Sequence, residues 1–241
     1  MAINSSIEWT QTTWNPITGC TPISKGCDNC YAMHLSRRLQ RMGNKNYANG
    51  FKLTTHEDML EKPLTWKKPQ MIFVNSMSDI FHEAVPLEFI KKIFNVMDKA
   101  YWHIFQILTK RSSRLSYVAP ELIWPKNVWM GVTVESSEYT YRIDNLRSIP
   151  STIRFISFEP LLSPITELKF ENIDWVIVGG ESGQKARQIE KKWVDDILFE
   201  CQKKNIPFFF KQWGGINKKK NGRLLNGKIY SEFPKICQEH F

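Results

Sequence analysis

Six short runs of this chain are nearly continuous in apolar character, and that pattern limits the fold more than any other feature. They are residues 71–75 (MIFVN), 103–108 (HIFQIL), 128–132 (VWMGV), 153–158 (IRFISF), 175–178 (WVIV) and 206–210 (IPFFF). A strand with one wet face alternates apolar and polar side chains, whereas a strand covered on both faces does not need to. Between several runs lie stretches with apolar residues at helical spacing. One is 86–99, through Leu87, Ile90, Ile93, Phe94 and Met97; others are 136–147 and 191–204, the last with Trp193, Ile197, Leu198 and Cys201 on one stripe. Strands alternating with helices imply right-handed crossovers onto a parallel sheet. We therefore expect an α/β fold, a partial or full parallel (β/α) barrel of six or more strands. The region 18–42 is expected to add another strand-loop-helix unit.

The 241 residues, 42% hydrophobic and 13% aromatic, are enough for one large core and exclude a disordered chain. We expect a single domain over 1–241, with 1–19 an N-terminal extension, 215–241 a C-terminal cap or tail, and the lysine run 218–220 a surface loop. No stretch approaches the roughly 20 apolar residues a bilayer crossing requires. The opening MAINSSIEWTQ lacks the basic-then-apolar pattern of a secretory leader. A cytoplasmic protein without a membrane partner is the expectation.

In a barrel of this kind the chemistry sits where strands end and loops begin. The residues just after the six runs are strongly polar: Asn75, Ser76, Ser78 and Asp79; Thr109, Lys110 and Arg111; Thr133 and Glu135; Glu159; Gly179, Gly180, Glu181 and Ser182; Lys211 and Gln212. This rim is expected to form the mouth of a site.

The five cysteines are unevenly placed. Cys20, Cys27 and Cys30 fall in GCTPISKGCDNCYA with the spacing C-x6-C-x2-C, while Cys201 and Cys237 stand alone. Such a trio in a reducing compartment points to a metal centre. Ala32, Leu35, Leu39 and Met42 then mark a helix stripe, whose N-terminal N–H groups would favour thiolates. Two centres compete on this spacing. Zinc would add His34 for a Cys3His set, whereas an iron–sulfur cluster could use the three cysteines alone and leave one iron open. Cys201 is expected in the core, Cys237 carries no role, and Trp9, Trp14 and Trp213 are expected as core or loop anchors.

Lysine and arginine number 33 against 24 acids, a formal net charge of +9, which suits a polyanionic partner. Arg37, Arg38 and Arg41 follow the trio on its helix and are candidate nucleic-acid contacts.

The segments TWNPITGCTPISKGCDNCYA, FVNSMSDIFHE, QILTKR, GVTVES, FISFEPLL, WVIVGGESG and FFFKQWGG together resemble the phage Gp37/Gp68-like family (DUF5131). More broadly the chain resembles the radical S-adenosylmethionine superfamily, spore photoproduct lyase-like enzymes included. It departs from that superfamily's usual C-x3-C-x2-C in its six-residue first gap, and Asn29 stands where an aromatic usually precedes the last cysteine. The resemblance implies a [4Fe-4S] cluster on Cys20, Cys27 and Cys30, with S-adenosylmethionine on the fourth iron. It implies reductive cleavage to a 5′-deoxyadenosyl radical that abstracts hydrogen from a substrate, fed by a flavodoxin- or ferredoxin-type reductant. Lys110 or Arg111 could then meet the cofactor's carboxylate, and Ser76, Ser78, Asp79 and Glu135 its ribose and amino group. Gly179 and Gly180 would allow its close approach, with Glu159, Glu181 and Lys211 as catalytic candidates. The phage association and basic charge suggest DNA, RNA or a nucleotide as substrate, for modification or repair. The other readings are a zinc-stabilised nucleic-acid-binding protein without redox chemistry, and a radical enzyme acting on a peptide or small metabolite.

Overall fold

The structure, a computed structural model, describes residue 5 and residues 7–235. The strands are β1 (Thr12–Trp14), β2 (Ile17–Thr18), β3 (Thr54–Thr55), β4 (Met71–Val74), β5 (Ile104–Thr109), β6 (Val128–Thr133), β7 (Ile153–Phe158), β8 (Trp175–Gly179) and β9 (Phe208–Gln212). The helices are α1 (Tyr31–Arg41), α2 (Leu87–Lys99), α3 (Ser112–Val118), α4 (Tyr141–Arg147), α5 (Lys191–Lys203) and α6 (Lys218–Asn221). Seven strands form one sheet in the order β1-β4-β5-β6-β7-β8-β9, every pairing parallel. β2 and β3 pair antiparallel beside it.

After β1 each new strand of the sheet joins on the same side of the last. With right-handed crossovers, a sheet built in one direction collects its helices on one face and curls about the other. The result is a half-barrel, open between β1 and β9. The pleat then sorts side chains by face. Ile72, Val74, Ile156, Val176, Val178, Phe208 and Phe210 join the helix-side core, whereas Phe73, Phe155, Trp175, Ile177 and Phe209 turn to the concave side with Trp9 and Trp129. Trp9 meets Phe73 edge-on with ring centroids 4.6 Å apart, and such pairs contribute about 0.5–1.5 kcal/mol beyond area burial.

Several expectations shift. The strand expected within 18–42 lies earlier, at β1, inside the segment expected as an extension; it is short and polar (TTW), so no apolar run marks it. The stripe on α1 also narrows: Ala32 and Ser36 are buried, while Leu35 and Met42 are exposed. The lysine run forms α6, begun by the Asn217 side chain accepting from the Lys220 N–H, rather than a loop. From the tail, Glu232 accepts from the Phe208 N–H and Phe233 packs on Trp175. Residues 1–4, 6 and 236–241, with Cys237, lie outside the described residues. Cys201 is fully buried in the core, as its stripe predicts. Among the described residues no helix is long and apolar enough to cross a membrane.

Candidate metal and ligand site

The segment 19–30, which carries the three cysteines, runs as a strap across the C-terminal ends of the strands, tied to one after another. Gly19 bridges Ser78 beyond β4. Arg111, at the end of β5, donates to the Thr21 carbonyl and hydroxyl, both at 3.0 Å. The Ser24 hydroxyl donates to Glu135, beyond β6, at 2.6 Å. Past β8, Arg187 donates to the Lys25 carbonyl at 2.9 Å, and Asn29 donates to Glu181 at 3.0 Å. The six-residue gap between Cys20 and Cys27 therefore carries the ties at Thr21, Ser24 and Lys25. Gly26 completes the fit, since a Cβ there would stand 2.4 Å from a Glu135 carboxylate oxygen.

The ties are charged and dry. Glu135 is fully buried between Arg142 at 2.8 Å and Lys110 at 3.2 Å. Burial alone would raise its carboxyl, yet Lys110 and Arg142 hold it below the usual carboxylate range. Burial likewise works against the Glu181 carboxylate, and hydrogen bonds from Arg187 hold its pKa down. Arg111 reaches Glu83 at 2.8 Å and Asp79 at 3.7 Å; these carboxylates keep its guanidinium charged against burial.

Under the strap lies a cavity of about 230 Å³ that opens to solvent, lined by all three cysteines. It continues into a second space of about 430 Å³, and the two share Ile7, Cys27, Cys30, Tyr31, Lys110, Glu159 and Lys211. Cys30 caps α1, and the Cys20 sulfur lies 3.7 Å from an Arg111 N–H. Burial, with the nearby Asp79 carboxylate, pushes the Cys20 thiol up to about 12, against the opposing charge of Arg111. A thiol so raised keeps its proton at neutral pH unless a metal replaces it.

Among the described residues no three His, Cys, Asp or Glu side chains stand close enough to grip a single ion. His34 is exposed and lines neither cavity. A closed zinc site needs four ligands on one ion, and this arrangement does not offer them. A four-iron cube presents its irons at separate corners, so its thiolates need not converge on one point. Asp79, the carboxylate nearest Cys20, is taken up by Thr109, Lys110 and Phe81, so three thiols remain, which suits a cluster with one iron left open.

The rim expected from the sequence does converge here, but many of its polar groups already bind the protein. Ser76 donates to Asn15 at 3.2 Å, and Ser78 to the Ile17 carbonyl at 3.1 Å. Asp79 accepts from the Thr109 hydroxyl, the Lys110 N–H and the Phe81 N–H. Gly179 and Gly180 make room for the protein itself: a Cβ at Gly179 would stand 2.8 Å from a Glu159 oxygen, and one at Gly180 2.1 Å from the Trp213 carbonyl. Lys211 pairs with Glu159 at 2.9 Å, where both line the cavity. Arg37, Arg38 and Arg41 are exposed on α1 and make no ion pair among the described residues.

Two residues with free polar atoms received no individual role from the sequence, although Asn75 stood among the expected rim. Asn75 follows β4 in the left-handed region (φ 61°), is 3% exposed, and neither atom of its side-chain amide has a partner. Trp9, 2% exposed, likewise leaves its indole N–H unpartnered. Both line the cavity. Asn75 could be suspected from its place directly after an apolar run, since asparagine tolerates positive φ; nothing in the sequence marks Trp9.

No curated protein and no solved structure matches the chain. The profile of one protein family, described as "Protein of unknown function (DUF5131)", matches residues 4–234. That span covers almost the whole sequence, and the chain with this cysteine-bearing strap belongs to the DUF5131 family.

Proposed function

We propose that this protein is a radical S-adenosylmethionine enzyme acting on a nucleic acid or nucleotide. The observation that carries the reading is the gathering of three thiols on a cavity at the C-terminal ends of a parallel half-barrel. Cys20, Cys27 and Cys30 would hold the cluster. Bound there, a [4Fe-4S] cluster with S-adenosylmethionine on its open iron supplies, on one-electron reduction, a 5′-deoxyadenosyl radical able to abstract hydrogen.

The chain's own groups serve that chemistry in distinct ways. Arg111 places positive charge beside the Cys20 sulfur, which offsets part of the burial that raises its thiol. Lys110 and Lys211, each about one-fifth exposed, offer cations to a carboxylate or phosphate at the mouth. Glu159 lines the cavity paired with Lys211, which fixes both groups at the mouth. Arg37, Arg38 and Arg41 stand on the helix that leaves the site, where phosphates can be met. The electron would come from a flavodoxin- or ferredoxin-type reductant, and free thiols suit the cytoplasm.

Anaerobic preparation with iron and sulfide tests the reading. About four irons per chain and dithionite-dependent release of 5′-deoxyadenosine are expected; Cys27→Ala loses the iron and Cys201→Ala keeps it. One tightly held zinc per chain, or a loaded cluster that never cleaves the cofactor, overturns it.

A further inference from the structure

We infer that Asn75 and Trp9 form a subsite that reads the hydrogen-bonding edge of a nucleobase. The inference deepens the nucleic-acid reading above and rests on it.

Buried polar groups are nearly always partnered, because leaving one bare costs about 1–3 kcal/mol. Here the amide oxygen and nitrogen of Asn75 and the indole nitrogen of Trp9 are all bare, and both residues line the same cavity. Neighbouring hydroxyls do not relieve them, since Ser76 and Ser78 donate elsewhere. Asn75 also holds a left-handed backbone at the end of β4, a conformation uncommon outside glycine and concentrated at functional positions. The two side chains together hold one unpartnered acceptor and two unpartnered donor groups at the wall of one cavity.

The surroundings select the class of ligand. Phe73 and Leu108 line the cavity with Trp9 and supply apolar contact. Asp79 lines it too, but its carboxylate is taken up by Thr109, Lys110 and Phe81. The cations Lys110 and Lys211 belong to the part shared with the second space, and Arg111, which lines the first cavity alone, is taken up by Glu83, Asp79 and the Thr21 carbonyl. The bare atoms are themselves neutral, so they suit a neutral polar group. A carboxamide pairs through two hydrogen bonds with an adjacent donor and acceptor, as on adenine N6 and N7. The indole N–H needs one further acceptor. A flat heteroaromatic base meets all three demands, and a base from a duplex would have to be extruded to reach them.

That base has two sources, the adenine of the nucleoside cofactor or a base of the substrate. The test titrates adenosine, cytidine, guanosine and uridine, and separately S-adenosylmethionine, into the full chain before and after anaerobic cluster loading. Isothermal calorimetry reads binding, and iron content is measured in parallel. Asn75→Asp keeps the backbone tolerance and shape but replaces the donor with a charged acceptor; Trp9→Phe keeps an aromatic ring but loses the N–H and the second ring, so a urea-unfolding midpoint measured beside it separates lost packing from the lost hydrogen bond. Asn75→Gly, which tolerates the same φ, guards against a folding defect. We expect each variant to load iron as wild type does and to weaken binding about tenfold. Loss confined to S-adenosylmethionine and adenosine assigns the edge to the cofactor; loss on another nucleoside, with S-adenosylmethionine unchanged, assigns it to the substrate. Either result supports the subsite. Wild-type affinity in all three variants, or no binding of any of these compounds to a cluster-loaded wild type, overturns it. Failure to load iron would instead count against the proposed function.

Discussion

The strap that carries the cysteines and the cavity wall beneath it use polar side chains in opposite ways. Along the strap, Glu135, Glu181, Asp79 and Arg111 are buried, charged and engaged with partners in the protein. On the wall, Asn75 and Trp9 are just as buried but neutral and unengaged. Engaged groups stabilise a geometry; unengaged ones cost stability until something binds. Substitutions in the two places should therefore differ in kind, with the strap answering in folding and thiol access and the wall in ligand affinity.

The largest effect is expected at Arg142, whose loss would leave the buried Glu135 carboxylate with Lys110 as its remaining cation. Arg142→Ala should lose about 3 kcal/mol in urea unfolding, and Glu135→Gln a similar amount, since it leaves the buried Arg142 guanidinium without its carboxylate. A loss under about 1 kcal/mol in Arg142→Ala would mean that water reaches Glu135 and the strap is looser than described. Next comes Gly26→Ala, where the added methyl meets the Glu135 carboxylate. Overpacking of this sort costs about 1–3 kcal/mol. It should also speed maleimide labelling of Cys27 relative to wild type; unchanged labelling would show that the ties at Thr21 and Arg187 suffice.

The wall should behave differently. Asn75→Gly removes an unpaired amide at a position whose φ suits glycine, so its unfolding free energy should stay within about 1 kcal/mol of wild type. A loss of several kcal/mol would mean that the amide is part of the scaffold after all. The smallest effect is a pH slope from outside both regions. Burial holds the His103 imidazole, beside the Pro63 carbonyl, below its ordinary value of 6.5. The unfolded chain then binds more protons than the folded one, so stability present above pH 6.5 is lost as pH falls through and below it. His103→Gln should flatten that decline between pH 7.5 and 5.5, and an equally steep decline would assign it to His56 and His82, which burial lowers in the same direction.

Much of this was legible before any fold was known. All six apolar runs became sheet strands, shifted at their ends by no more than two residues. The seventh, β1, was not legible, because three residues of TTW borrow their burial from pairing with β4 rather than displaying it. On α1 the expected stripe held at Ala32 and Leu39 but misled at Leu35 and Met42, because only a narrow strip meets the Tyr47 and Met77 cluster. The rim was found as a set, but the part played by each member was not.

By itself, then, the order of residues determined that strands are covered on both faces, that crossovers alternate with them, and that three thiols sit near one helix start. Those properties are local or periodic, and so they are written along the chain. Tertiary structure alone decided which polar groups are already satisfied. Glu135 finds Ser24 across 111 positions and Asn29 finds Glu181 across 152, whereas Asn75 finds nothing. Hydrogen bonding depends on neighbours in space, and no spacing along a sequence reports who those neighbours are.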